Sequence, residues 1–159
     1  MIAALNDFDA EIYLRGFPQM MKKSPALRVL VVDDELLIRW SIAETLTHAG
    51  HTVVEAEDGA TAVRAVTGPA PPVDAVVLDY RLPDSSDLTL LARIRRLSPH
   101  SPVILMTAFG NPEITKGALD LGAHKVITKP FEMHDLEELL VQACASGPRS
   151  RSDAPIQTD

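Results

Sequence analysis

From Leu27 onward the chain alternates two hydrophobic textures. Short, nearly continuous apolar runs rich in β-branched residues fall at Val29–Val32, Thr52–Glu55, Ala75–Leu78, Val103–Met106 and Lys125–Thr128. Each of the first four is followed by a helical stretch of about ten residues or more, and the fifth by Glu132–Ala145. Continuous apolar runs describe strands buried on both faces, and strand–helix alternation describes right-handed parallel crossovers. The pattern predicts a doubly wound, three-layer α/β sandwich around a five-stranded parallel sheet. The punctuation agrees. Gly50 and Gly122 can end helices, Gly68-Pro69 and Pro71-Pro72 break the chain, and Asn111-Pro112 opens the fourth helix with a cap and a proline.

Two helices carry more than packing information. In the first, Ile38, Ile42, Leu46 and Ala49 share one stripe that must face the sheet. Leu36, Leu37 and Trp40 fall on roughly the other side. Either the N-terminal extension or a neighbouring helix covers them, or they form a docking patch. The fourth helix, Pro112–Leu121, holds Gly117 at its middle, where glycine costs about 1 kcal/mol relative to alanine. That position fits close packing of the helix, or a marginal element whose population a signal could shift.

The ends of the chain read differently. Residues 1–26 lack clear periodicity and form an extension largely outside the fold, although Ala10–Phe17 allows a short amphipathic helix. Met20 and Met21 resemble an alternative start. Residues 27–145 are the domain, and Ser146–Asp159, without a hydrophobic pattern, is expected to be a loose tail.

Composition narrows the function. With 159 residues there is room for one domain and not two. A formal net charge of −7 repels nucleic acid and anionic membrane surfaces, so direct nucleic-acid binding is not expected. No apolar run approaches the roughly 20 residues of a membrane span. The single cysteine, Cys144, excludes an intrachain disulfide and fits a reduced, cytoplasmic compartment; it reads as a small buried hydrophobe. The five histidines (His48, His51, His100, His124 and His134) show no metal-site spacing and are expected at the surface or in loops.

In an open parallel sheet, ligands bind beyond the carboxyl ends of the strands. There the first strand runs into Asp33 and Asp34, the third into Asp79, the fourth into Thr107, and the fifth into Lys129 and Pro130. Asp33 and Asp34 could by themselves be helix caps. Three clustered carboxylates, however, repel one another unless a cation intervenes, and an all-oxygen set suits Mg2+ better than Zn2+. With such an ion present, a carboxylate can act as nucleophile toward a phosphoryl group, while a lysine offsets charge on the transferring oxygens.

The segments Val31-Val32-Asp33-Asp34-Glu35, Val76-Val77-Leu78-Asp79-Tyr80-Arg81-Leu82-Pro83, Leu105-Met106-Thr107-Ala108 and Thr128-Lys129-Pro130-Phe131 resemble the receiver domains of two-component response regulators. The likeness spans about Leu27 to Ala145. It implies a flavodoxin-like strand order 2-1-3-4-5, with Asp79 as phosphoacceptor. It further implies Mg2+ held directly by Asp34, Asp79 and the Arg81 carbonyl, with Asp33 acting through water. Lys129 would contact the phosphoryl oxygens, Thr107 would bond to one of them on activation, and Lys129–Pro130 would often be cis. The implied activity is that of a switch with self-phosphotransfer and autodephosphorylation chemistry, not of an enzyme. Its implied partners are a histidine kinase or phosphotransfer protein docking near Leu37 and Trp40, and a second copy pairing through helix four, strand five and helix five.

Some positions depart from the family pattern. Val126 stands where the family usually has Tyr or Phe coupled to the hydroxyl residue, which puts the rotamer switch at Thr107 in question. Asp87 replaces the customary glycine and can cap the third helix instead. Arg81 and Phe109, both large, flank the expected phosphoryl position and should hinder the attacking water. Rival readings are a receiver cut from a longer transcriptional regulator and an aspartyl-phosphate phosphatase. The phosphatase needs a second Asp where Arg81 stands. A flavin carrier would need a phosphate-cradling loop where Asp33-Asp34-Glu35 would repel phosphate.

Overall fold

The structure, a computed structural model, describes residues 25–146. The expected helix around Ala10–Phe17, and the tail apart from Ser146, lie outside the described residues. Five parallel strands form one sheet: β1 (Arg28–Val32), β2 (Thr52–Ala56), β3 (Ala75–Asp79), β4 (Val103–Thr107) and β5 (Lys125–Thr128), in the order β2-β1-β3-β4-β5. Five helices alternate with them: α1 (Leu36–His48), α2 (Gly59–Thr67), α3 (Thr89–Leu97), α4 (Pro112–Asp120) and α5 (Met133–Ala145). The expected sandwich and strand order are both found. Three helices, α2, α3 and α4, are nine residues long, slightly shorter than expected.

Alternation along each strand divides the core in two. Leu30, Val32, Val76, Leu78, Val103 and Leu105 pack with Ala62, Leu91, Ile94 and Ala118 on the face covered by α2, α3 and α4. Val29, Val31, Ala75, Val77, Ile104 and Met106 pack with Ile42, Leu46, Leu136 and Leu140 on the face covered by α1 and α5. Both sides of the three central strands are therefore dry, which explains why their sequences are unbroken apolar runs.

The helix ends follow from local chemistry. Asn111 Oδ1 accepts the Glu113 N–H at 2.9 Å, with Pro112 in the first turn. Gly122, at φ +98°, leaves α4 in the left-handed region that glycine tolerates. Asp87 Oδ1 accepts the Thr89 N–H at 2.9 Å, although the cap position of α3 is Leu88. A Cβ on Gly117 would meet Leu88 Cδ1 at 2.9 Å, so glycine there permits close packing of α4 against the start of α3.

Two expectations need correction, on Ala49 and on His51. Ala49 does not join the buried stripe of α1: it is the exposed C-cap, beyond the last turn that touches the sheet. The alternative that Asp33 and Asp34 are merely helix caps also falls: the cap of α1 is Glu35, and Asp33 Oδ1 accepts the Glu35 N–H at 2.9 Å. His51 is buried, while the other four histidines are exposed as expected. Its Nδ1 accepts the Leu27 N–H at 3.0 Å, which leaves Nε2 to donate to Glu137 Oε1 at 3.1 Å. Spacing along the chain cannot reveal this, because the partners come from the start of β1 and from α5.

Candidate functional site

Each strand end delivers one piece of the site. β1 carries Asp33 and Asp34 past its last residue, β3 ends on Asp79, and β5 is followed by Lys129 across a cis peptide to Pro130. Asp33, Asp34 and Asp79 each offer a carboxylate oxygen, and these atoms lie within 4.8 Å of one another. Lys129 Nζ reaches Asp33 Oδ2 at 2.9 Å and Asp79 Oδ2 at 3.3 Å. A cavity of about 200 Å3, lined by Asp34, Glu35, Asp79, Tyr80, Arg81, Ala108 and Lys129, opens above them. Larger hollows of about 630 Å3 lie beside the Leu82–Asp87 loop and among residues 97–102, away from this group. Chemistry marks the site here, not size.

Asp33 is held on every side. It is fully buried, its N–H donates to the Ala56 carbonyl at 3.1 Å, and its own carbonyl accepts from Arg39 Nη1 at 2.7 Å. Arg39 in turn pairs with Glu55 through Nε at 3.1 Å, clamping α1 onto β2. This support was not read from the sequence; the only signal was an arginine on the first turns of a helix that follows two acids.

The electrostatics follow from burial. Desolvation pushes the Asp79 carboxyl up, and the nearby Asp33 charge pushes further, reaching about 6 against the partial opposition of Lys129 and the Arg81 backbone N–H. Burial would lower Lys129, but its hydrogen bond to Asp33 and the charges of Asp79 and Asp33 hold the ammonium above its usual value. One cation therefore stands among three carboxylates, and the cluster retains excess negative charge. Its donors are all oxygen, two buried and one exposed, a set that fits a small hard cation keeping part of its water shell.

The remaining predicted residues are placed unevenly. Thr107 is buried at the end of β4; its hydroxyl donates to the Phe109 carbonyl at 3.0 Å and accepts the Phe109 N–H at 3.3 Å. Arg81 and Phe109 are exposed, and Arg81 lines the cavity. Val126 is half-buried against the α2–α3–α4 side of the core. Leu36, Leu37 and Trp40 are exposed on α1, at 65%, 76% and 57%. Cys144 is half-buried; burial raises its thiol, and Asp74 adds to that.

Comparison with known proteins places the chain by family and fold. The response regulator receiver domain family matches residues 29–141. The transcriptional regulatory protein TcrA of Mycobacterium tuberculosis is 38% identical over 137 residues, covering 86% of this chain and 53% of TcrA. The chain thus spans about half the length of that curated relative. A CheY-like receiver domain structure from Methanospirillum hungatei aligns with a TM-score of 0.71 at 26% identity, over 76% of this chain and 95% of the other. A chain of the CheX–CheY–BeF3–Mg2+ complex from Borrelia burgdorferi aligns with a TM-score of 0.68 at 27% identity, over 73% of this chain and 87% of its own.

Proposed function

The chain belongs to the response regulator receiver domain family, the phosphoacceptor modules of two-component signalling, and on that premise we propose that Asp79 is its phosphoacceptor. Receiver domains bind Mg2+ at an acidic pocket and interact with histidine kinases and phosphotransfer proteins. The observation that carries the residue assignment is the junction of Asp33, Asp34 and Asp79 within 4.8 Å, spanned by Lys129.

Asp34, Asp79 and the Arg81 carbonyl would hold the cation, and Asp33 would act through water. When bound, Mg2+ offsets negative charge on the phosphoryl oxygens. An Asp79 carboxylate oxygen attacks phosphorus as the bond from phosphorus to the donor's imidazole nitrogen breaks, and the imidazole leaves with that electron pair. Lys129 Nζ, already beside Asp79, exchanges part of its carboxylate contact for the incoming phosphoryl oxygens. Thr107 bonds to one of those oxygens once its hydroxyl leaves the Phe109 backbone. Val126, a half-buried aliphatic residue, can fill space vacated by Thr107 but cannot hydrogen-bond to it. Dephosphorylation follows by attack of water, which Arg81 and Phe109 obstruct. Leu37 and Trp40 form the patch on which the phosphodonor docks, and α4, β5 and α5 supply the face that changes partners or pairs with a second copy.

The test is incubation of the chain with acetyl phosphate and Mg2+ followed by intact mass. One phosphoryl increment is expected, absent without the metal and absent in Asp79→Asn. No increment, or an increment that survives Asp79→Asn, rejects the assignment.

A further inference from the structure

We propose that Asp84 is a positioning residue for the cation, clasping the start of α2 and so fixing the Arg81 carbonyl; this deepens the reading of Asp79 and rests on it. A helix begins with four backbone N–H groups that have no partner inside it. In α2 three of them, on Gly59, Ala60 and Thr61, are taken by the carboxylates of just two acidic residues. Thr61 N donates to Asp58 Oδ1 at 2.7 Å, while the next amide, Ala62 N, already makes the first bond within the helix, to the Asp58 carbonyl at 3.1 Å. The other two reach across the fold: Gly59 N donates to Asp84 Oδ1 at 2.8 Å and Ala60 N to Asp84 Oδ2 at 3.0 Å. Both oxygens of one carboxylate thus grip consecutive amides at the positive end of the helix, where charge-assisted bonds are strongest.

Position 59 is shaped for this grip. A Cβ on Gly59 would stand 3.1 Å from Asp84 Oδ1 and 3.1 Å from Leu90 Cδ2. A side chain there would press on the clasp and on the core beside it.

The clasp acts on the segment that leaves Asp79. Tyr80 N is pinned to the Met106 carbonyl at 2.8 Å. Leu82, buried, exchanges backbone bonds with Ser85 at 2.7 and 3.2 Å, closing a tight turn that carries Asp84 at its tip. Arg81 is the single residue between these two anchors, so its carbonyl direction is set by both. Groups that orient a metal ligand from behind commonly change metal affinity by tenfold or more.

Direct Mg2+ titration calorimetry of the full chain tests this, with amide exchange at Leu82 and Ser85 as a second reading. Asp84→Ala is expected to raise the Mg2+ Kd roughly tenfold and to speed both exchanges. Asp58→Ala removes an equal charge and a cap from the same helix; it should lower the Tm and leave the Mg2+ Kd unchanged. Asp84→Asn keeps one good acceptor oxygen and should fall between; it takes the place of Asp84→Ala if that variant does not fold. An unchanged Kd in the Asp84 variants, or an equal loss in Asp58→Ala, overturns the inference while leaving Asp79 as phosphoacceptor. Failure of the unsubstituted chain to bind Mg2+ removes both.

Discussion

Lys129 Nζ bridges Asp33 Oδ2 at 2.9 Å and Asp79 Oδ2 at 3.3 Å, so one ammonium links the ends of two neighbouring parallel strands. Asp33 is fully buried and Asp79 nearly so. Removing the ammonium would leave both carboxylates desolvated and facing each other.

Lys129→Met is therefore expected to destabilise the metal-free protein by about 2 kcal/mol at neutral pH, less than the roughly 3–5 kcal/mol lost when one partner of a fully buried pair is deleted, because Lys129 keeps some contact with solvent and Asp79 can take up a proton. Excess Mg2+ should restore most of that loss. Urea unfolding with and without the ion measures both quantities, and a variant as stable as the parent without metal would contradict this account of the cluster.

The raised Asp79 value gives a pH dependence of definite sign. Mg2+ binds the ionised carboxylate, and in the metal-free protein a proton occupies Asp79 increasingly as pH falls through about 6. Affinity for Mg2+ should accordingly be flat well above that pH and drop by up to tenfold per unit below it. Calorimetric titrations from pH 7.5 to 5 would show it; an affinity that is level across the range means that Asp79 ionises at its ordinary value or does not bind the ion.

Arg81, which lines the cavity, and Phe109 are both exposed, and the proposed function sets them in the path of the hydrolytic water. Replacing both, as Arg81→Ala with Phe109→Ala, is expected to speed loss of the phosphoryl group roughly tenfold, or ~1.4 kcal/mol off the barrier. The Arg81 carbonyl survives the substitution, so Mg2+ affinity serves as the control. The rate of phosphate release from the labelled protein decides the matter, and an unaltered rate removes the steric role.

Trp40 projects from α1 with more than half its surface in water, beside the exposed Leu36 and Leu37. An aromatic anchor of this kind can contribute 2 kcal/mol or more to an interface, on the order of tenfold or greater in transfer from a protein donor. Trp40→Ala should slow transfer from a histidine kinase while leaving labelling by acetyl phosphate intact. Equal slowing of both would show that the residue serves the fold or the chemistry, not the donor.

The strands are legible in the sequence because burial on both faces leaves runs such as Ala75–Leu78 with no polar position to confuse the period. The acids at their ends are legible by number: one carboxylate after such a run can be a helix cap, but three converging at one sheet edge beside a lysine repel one another to no structural end. What the sequence conceals is who touches whom across the fold. Asp84 looks like an ordinary turn residue until α2 is seen beside it, and His51 looks like a surface or loop residue until α5 covers it. Ala49 errs in the opposite direction, since a helical stripe extrapolated one turn too far runs off the sheet. Gly117 allows two readings by composition, and the 2.9 Å approach to Leu88 supports packing.

The ring of His51 gathers three remote stretches of chain, the entry to β1, the entry to β2, and α5, on two hydrogen bonds. Opening any one of them breaks a hydrogen bond to the same ring. The molecule is thereby given a fixed base beneath β1, β2 and α5. The acids of the site lie at the opposite, carboxyl end of β1, so the strand that carries Asp33 is anchored from its far end.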